Sequence, residues 1–274
     1  MLRRLLLPLA LFLLCAMPGQ APAQARLLKI VTGTSLIEDI VRDLTDGRVE
    51  TVTLIAGSSC PGHDNANPAD FVFAARADAI LVHAFQKNMP QFVGMAESVS
   101  PGEKRIDVME TRGSWLVPAN QRKALDEVAE VLMRLSPDDA PAVRKRAELR
   151  LARINQAESE SLPELAAFKN TPVIAADMQS EFVRWAGFDV LETYRRSEEM
   201  TARDVAKLTD ALRGRKIAGV IDNFQSGADA GLPLALELKA PHVVLSNFPG
   251  FTDNVPDYFS LLRYNITQLV KLGR

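Results

Sequence analysis

From Ala140 to about Phe168 the chain runs rich in Arg, Glu, Ala and Leu, without a glycine. Ser136-Pro137-Asp138-Asp139 marks a break and a fresh start just before it, and Pro163 is the one residue inside it that disfavours helix. Strong helix formers at almost every position predict one helix, with a kink at Pro163 as the only interruption. A helix of roughly 25–29 residues exceeds the usual globular length, so it suits a bridge between two bodies better than a surface layer. On either side the pattern changes. Before it come short apolar runs alternating with helical stretches: Leu28-Lys29-Ile30-Val31, a helix from Ser35 to Leu44, Val52 to Ile55, a helix opened by Asn67-Pro68 with Asp70 near its positive end, then Ala79-Ile80-Leu81-Val82. Ser35-Leu36-Ile37-Glu38 reads as a capping box for the first of these helices. Leu125, Val128, Leu132 and Leu135 fall at helical spacing just ahead of the break.

The second half repeats the alternation. Val173-Ile174-Ala175, Ile217 to Ile221 and Val243-Val244-Leu245 are strand candidates. Helices are expected up to Gly187, from Thr201 (capped with Asp204) to Leu212, over Ala228 to Leu238, and from Tyr258 to Leu272. Strand–helix alternation on both sides predicts α/β architecture: two lobes, each a parallel sheet sandwiched by helices, joined by the long linking helix. The boundaries that follow are 26–137 for the N-terminal lobe, 138–169 for the linking helix and 170–274 for the C-terminal lobe. Ligands of such sheets collect at the carboxyl ends of the strands, which here face the cleft between lobes.

Residues 1–25 carry an address. Arg3 and Arg4 precede an apolar run from Leu5 to Met17, followed by Ala21-Pro22-Ala23-Gln24-Ala25. A basic start, an apolar stretch too short for a bilayer and a small-residue end define a secretory signal, with cleavage expected after Ala23 or Ala25 and a soluble periplasmic product. Leu14 stands before Cys15 where lipidation would want a small residue, so no acyl anchor is expected. Removing the leader takes two arginines from the 32 basic residues, leaving 30 against 34 acidic and a net charge of −4. Such a balance, without a clustered basic face, speaks against nucleic acid. It also leaves Cys60 as the only cysteine, unable to form an internal disulfide in an oxidising compartment.

Cys60-Pro61-Gly62-His63-Asp64 follows a strand and precedes a helix. Pro and Gly make a tight turn that can aim a thiolate and an imidazole at one centre, a donor pair suited to zinc, copper or iron. A polar loop with a structural turn is the plainer alternative. His83 ends the Ala79–Val82 strand at its carboxyl edge; His242 precedes the last strand at the wrong edge and reads as structural. Asp177, Glu181 and Asp222 stand at or just past strand ends in the second half, each a hard ligand or a helix-capping acid. Cys60 and His63 as nucleophile and base of a hydrolase lack an evident orienting partner.

Ile30-Val31-Thr32-Gly33-Thr34-Ser35, Pro61-Gly62-His63-Asp64 with Asn67-Pro68-Ala69-Asp70, Ala77-Asp78-Ala79-Ile80, Trp115-Leu116 with Pro118, and Arg263-Tyr264-Asn265 together resemble the zinc/manganese-type periplasmic solute-binding proteins of ABC importers (cluster A-I). The resemblance spans the mature chain and implies two lobes on a rigid helix, no enzymatic activity, a transition metal (zinc foremost) as transported ligand, and a membrane permease as partner of a monomer. It also implies three histidines and an acid around the metal. Of these only the first is matched, by His63; Gly113, Ala176 beside Asp177, and Ser246-Asn247 stand at the others. Two repairs remain open: Cys60, His63 and His83 completed by Asp177 or Asp222, or a chelated metal or organic ligand held by the polar run Asp222-Asn223-Phe224-Gln225-Ser226-Gly227.

Overall fold

A computed structural model describes residues 26–60, 67–98 and 106–273. Residues 1–25, where an export signal is expected, and the Pro61-Gly62-His63-Asp64 part of the motif lie outside the described residues. The first sheet has the order β2-β1-β3-β4 and is parallel throughout. Its strands are β1 (Leu28–Thr34), β2 (Val49–Ile55), β3 (Ala79–His83) and β4 (Ile106–Met109). The second sheet repeats that order as β6-β5-β7-β8, again parallel, from β5 (Pro172–Ala176), β6 (Asp189–Tyr194), β7 (Gly219–Asn223) and β8 (His242–Leu245). Strands β4 and β6 are additions to the sequence reading. Both are edge strands, and Ile106-Asp107-Val108-Met109 and Asp189-Val190-Leu191-Glu192 mix polar residues into the pattern because one flank meets solvent.

Each central strand sends alternate side chains to opposite faces. Ile30 and Leu81, then Val173, Ala175 and Ile221, belong to one apolar core that runs from the first lobe through the helices into the second. Val31, Ile80 and Val82 pack on the outer face of the first sheet beside α2 (Pro68–Ala74) and α3 (Pro90–Ser98). Ile174, Ala176 and Val220 pack on the outer face of the second, with Leu234 of α8 (Leu232–Leu238) and the half-buried Val205 and Leu208 of α7 (Ala202–Ala211). Sheets covered on both faces explain why the central strands read as unbroken apolar runs.

The inner layer is α1 (Ser35–Leu44), α4 (Pro118–Leu135), α5 (Ala140–Leu165) and α9 (Tyr258–Val270). As expected, α5 is one long helix, of 26 residues, and it continues through Pro163 to end two residues later. It is fastened to the first lobe by a buried cation. The Arg150 side chain, 1 % exposed, donates to Asp39 at 2.5 Å and Asp43 at 2.8 Å, both on α1. Asp39 also accepts from the Tyr258 backbone N–H at 3.2 Å, so α1, α5 and α9 meet at one point.

The expected capping box on α1 is absent. Thr34 is the N-cap without a side-chain bond. Ser35 Oγ instead donates across the lobes to the Pro249 carbonyl at 2.8 Å, and Glu38 accepts from Arg42, Thr51 and Thr53. Tertiary partners outcompete the local motif here. The boxes at Asn67/Asp70 and Thr201/Asp204 do form. Among the described residues no helix is long and apolar enough to cross a membrane.

Candidate functional site

In each sheet the two central strands lead to helices on opposite sides, which opens a crevice at their carboxyl ends. Each crevice holds a buried polar pair. In the first lobe Thr34, ending β1, and His83, ending β3, share a hydrogen bond of 2.8 Å between Oγ1 and Nε2. In the second, the Gln179 amide just past β5 donates to Asn223 Oδ1, ending β7, at 3.0 Å, and to Asn247 Oδ1, past β8, also at 3.0 Å.

The two edges face each other and touch. Gln225 Nε2 donates to the Gly57 carbonyl at 2.7 Å. Gly57 admits no side chain, since a Cβ there would run into the Pro249 carbonyl oxygen. Arg196 Nη1 approaches Cys60 Sγ at 3.6 Å, which sets the half-buried thiol on the seam between lobes. Glu181 of α6 (Ser180–Trp185) crosses the seam, accepting from the Ser114 N–H at 2.6 Å and Asn120 Nδ2 at 2.9 Å. Gly113 turns the chain there with φ +83°, and a Cβ on it would lie 2.5 Å from a Glu181 oxygen. The acid of one lobe occupies the room that a side chain at 113 would need.

The named candidates fare differently. Cys60 is at the seam. Asp177 is exposed at the carboxyl end of β5. Asp222 is fully buried and turned into its own lobe: it accepts from Tyr194 Oη at 2.7 Å and the Gly231 N–H at 2.9 Å, and pairs with His242 Nε2 at 2.6 Å. Its oxygens are committed, so the expectation that it reaches into the cleft does not fit this geometry, and His242 is the structural partner that holds it. His83 is 5 % exposed between the rings of Trp115 and Phe85, and its Nε2 is engaged by Thr34. Among the described residues no three Cys, His, Asp or Glu side chains come together as a ready metal cage.

Sequence reasoning passed over Gln179 and Arg196, named Gln225 only as part of the polar run after β7, and weighed Glu181 only as one acid among several. Gln179 and Arg196 had no periodicity or motif to mark them, because their roles depend on partners 44 and 136 residues away.

Burial pushes the His83 imidazole down to about 3. An unfolded chain's imidazole titrates near 6.5, so between those values the unfolded state takes up a proton that the folded state refuses. The stability is whole above about pH 6.5 and falls as pH drops, by up to about 1.4 kcal/mol per pH unit from this group. His83→Gln, which retains a polar partner for Thr34, is expected to flatten that part of the acid slope. Urea unfolding at pH 7, 6, 5 and 4 measures it; an unchanged slope would take His83 out of the account.

Two parallel-sheet lobes fastened to one 26-residue helix, touching along their strand ends, define a two-lobed solute-binding architecture. Residues 30–272 match the family of zinc-uptake complex component A, periplasmic, and the chain belongs to that family. Its fold is that of the periplasmic zinc binding protein TroA from Treponema pallidum (TM-score 0.77, 16 % identity, covering 90 % of this chain and 100 % of that one). The same holds for a periplasmic metal binding protein from Candidatus Liberibacter asiaticus. In its Mn-bound form the TM-score is 0.73 at 15 % identity, and in its Cd-bound form 0.74 at 16 %. Each alignment with that protein covers 88 % of this chain and 98 % of the other.

Proposed function

We propose that this protein captures a divalent transition metal, zinc foremost, at the seam between its lobes in the periplasm and hands it to the permease of an ABC importer. The observation that carries this reading is the position of Cys60, a half-buried thiol at the carboxyl edge of the first sheet within 3.6 Å of a second-lobe side chain. His63 follows three residues later in the same loop, and a thiolate with an imidazole is a zinc-type donor pair. Asp177, exposed on the opposite edge, is the carboxylate free to join them from the second lobe. Family membership supports the metal as cargo, and the solved relatives described as zinc-binding, Mn-bound and Cd-bound share one fold across several metals. Residues 1–25 act as the export signal, and the protein transports rather than catalyses.

Elemental analysis of protein purified from the periplasm, without added metal or chelator, tests the reading. About one equivalent of zinc, or of another first-row metal, is expected. A metal-free protein that also fails to take up zinc, manganese or copper(I) on titration would sink it.

A further inference from the structure

The two edges of the first sheet meet the second lobe in different ways. At the β2 edge the contact is buried. Gly57, just past β2, lies directly against the backbone of residues 249–251, past β8, and has no room for a Cβ. Ser35 Oγ donates to the Pro249 carbonyl at 2.8 Å. Gln225, 4 % exposed, donates from Nε2 to the Gly57 carbonyl at 2.7 Å. Phe251 belongs to the apolar core shared by the lobes, its ring 5.0 Å from those of both Phe224 and Tyr264. Parting the lobes here would let water into that core and leave buried polar groups without partners. At the opposite edge, past β4, the contact is exposed. Glu181 of α6 is a solvent-exposed residue whose carboxylate crosses the seam to the Ser114 N–H at 2.6 Å and Asn120 Nδ2 at 2.9 Å. Gly113 leaves room for it, since a Cβ there would meet both carboxylate oxygens, at 2.5 and 2.8 Å. Hydrogen bonds in such a place exchange for bonds to water at modest cost.

We propose that Glu181 is a releasable latch on the seam. The lobes stay joined along the β2 edge and through the helices, and the seam opens at the β4 edge when the carboxylate lets go of Ser114 and Asn120. Trp115 and Leu116, next along the chain, are buried in the shared core, which limits the motion to a short rock. The latch consists of protein groups only, so it forms with or without cargo. A contact made alike in both closed forms cancels out of the affinity and acts on the rates of entry and release. The consequence for cargo rests on the metal-capture reading; the opening itself does not.

Two variants test it, with thermal melts to check that each folds. Glu181→Ala removes the latch, and Asn120→Asp sets a second carboxylate against it. The first arm uses no cargo. Nitroxide labels at Asn88 and Arg203, exposed positions of the first and second lobes, read the distance between lobes by pulsed electron resonance in a Cys60→Ser background. Each variant is expected to give a longer and broader distribution than its parent. Exchange of the Ser114 amide proton is expected to quicken about tenfold, the worth of one or two exposed hydrogen bonds. In Asn120→Asp/Glu181→Gln the new amide can donate to the new carboxylate and still accept from the Ser114 N–H, so the double variant is expected to recover much of the closed distribution. The second arm is stopped-flow mixing with zinc, in protein with its native Cys60. Entry and release are both expected to quicken about tenfold in Glu181→Ala, leaving their ratio, and so the affinity, unchanged. Distances and Ser114 exchange that match the parent in both variants overturn the latch. A loss of zinc affinity without faster entry also overturns it, and makes Glu181 a ligand instead. A wild type that takes up no zinc overturns metal capture and leaves the first arm to decide the latch.

Discussion

Cys60→Ser is expected to weaken zinc and copper(I) binding by more than the roughly 10–100-fold that an outer-shell change costs, with His63→Ala in the same range. Serine keeps the size of the side chain and removes the soft donor, so the loss reads the thiolate and little else. Among the described residues there is no second cysteine to substitute, and no cluster of three acids, imidazoles or thiols stands by as a replacement. A thiol and an imidazole must both be unprotonated to bind, so wild-type affinity falls as pH drops, and Cys60→Ser should show a shallower dependence. Titration of both metals into wild type and the two variants at pH 8, 7 and 6 reads all of this. Wild-type affinity in Cys60→Ser would remove the thiolate and put the weight on His63, Asp177 and whatever ligands the metal brings.

The second large effect concerns stability. Arg150→Ala is expected to destabilise the protein by about 3–5 kcal/mol, the usual result of breaking a buried ion pair from one side. Asp39, whose side chain is 11 % exposed, would lose its countercharge while still bound to the α9 backbone. Asp43 is a third exposed and suffers less. For a chain of this size each kcal/mol moves the melting temperature by about 2–4 °C, so a fall on the order of 10 °C is expected. Adding Asp39→Asn should recover part of it, because the uncompensated charge leaves with the arginine. A melt within about 2 °C of wild type, the shift of a single kcal/mol or less, would mean that the apolar core shared by the lobes, rather than this cation, fastens α5 to the first lobe.

The same residues separate what the chain declares locally from what it does not. The linking helix was legible because helix propensity is a sum over neighbours, and nothing from Ala140 to Leu165 opposes it strongly except Pro163, near the end. The six strands read from sequence were central or strongly apolar, with burial on both faces written into consecutive residues. Edge strands β4 and β6 escaped because an edge tolerates polar residues. The Cys60–His63 motif was visible for a similar reason: its two candidate ligands are three residues apart in sequence.

The wall opposite the motif was legible only in the polar run from Asp222 to Gly227. A glutamine whose partners lie 44 and 68 residues away, a glutamate that reaches Ser114, beside Gly113, from 67 residues along the chain, and an arginine that finds a cysteine across 136 have no local signature. Ser35 and Glu38 spelled a capping box and were taken for other work by Pro249, Arg42, Thr51 and Thr53. Asp222 stood at a strand end like a ligand and was claimed by Tyr194, Gly231 and His242. Local sequence thus determined the two α/β halves and the helix between them, and pointed to Cys60 and His63 as candidates, since those follow from propensity, periodicity and short spacing. Tertiary structure alone decided which polar groups face the seam and which are spent on the fold, because a side chain's hydrogen bonds go to the nearest unsatisfied partner in space, and distance in space is set only when the lobes close on each other.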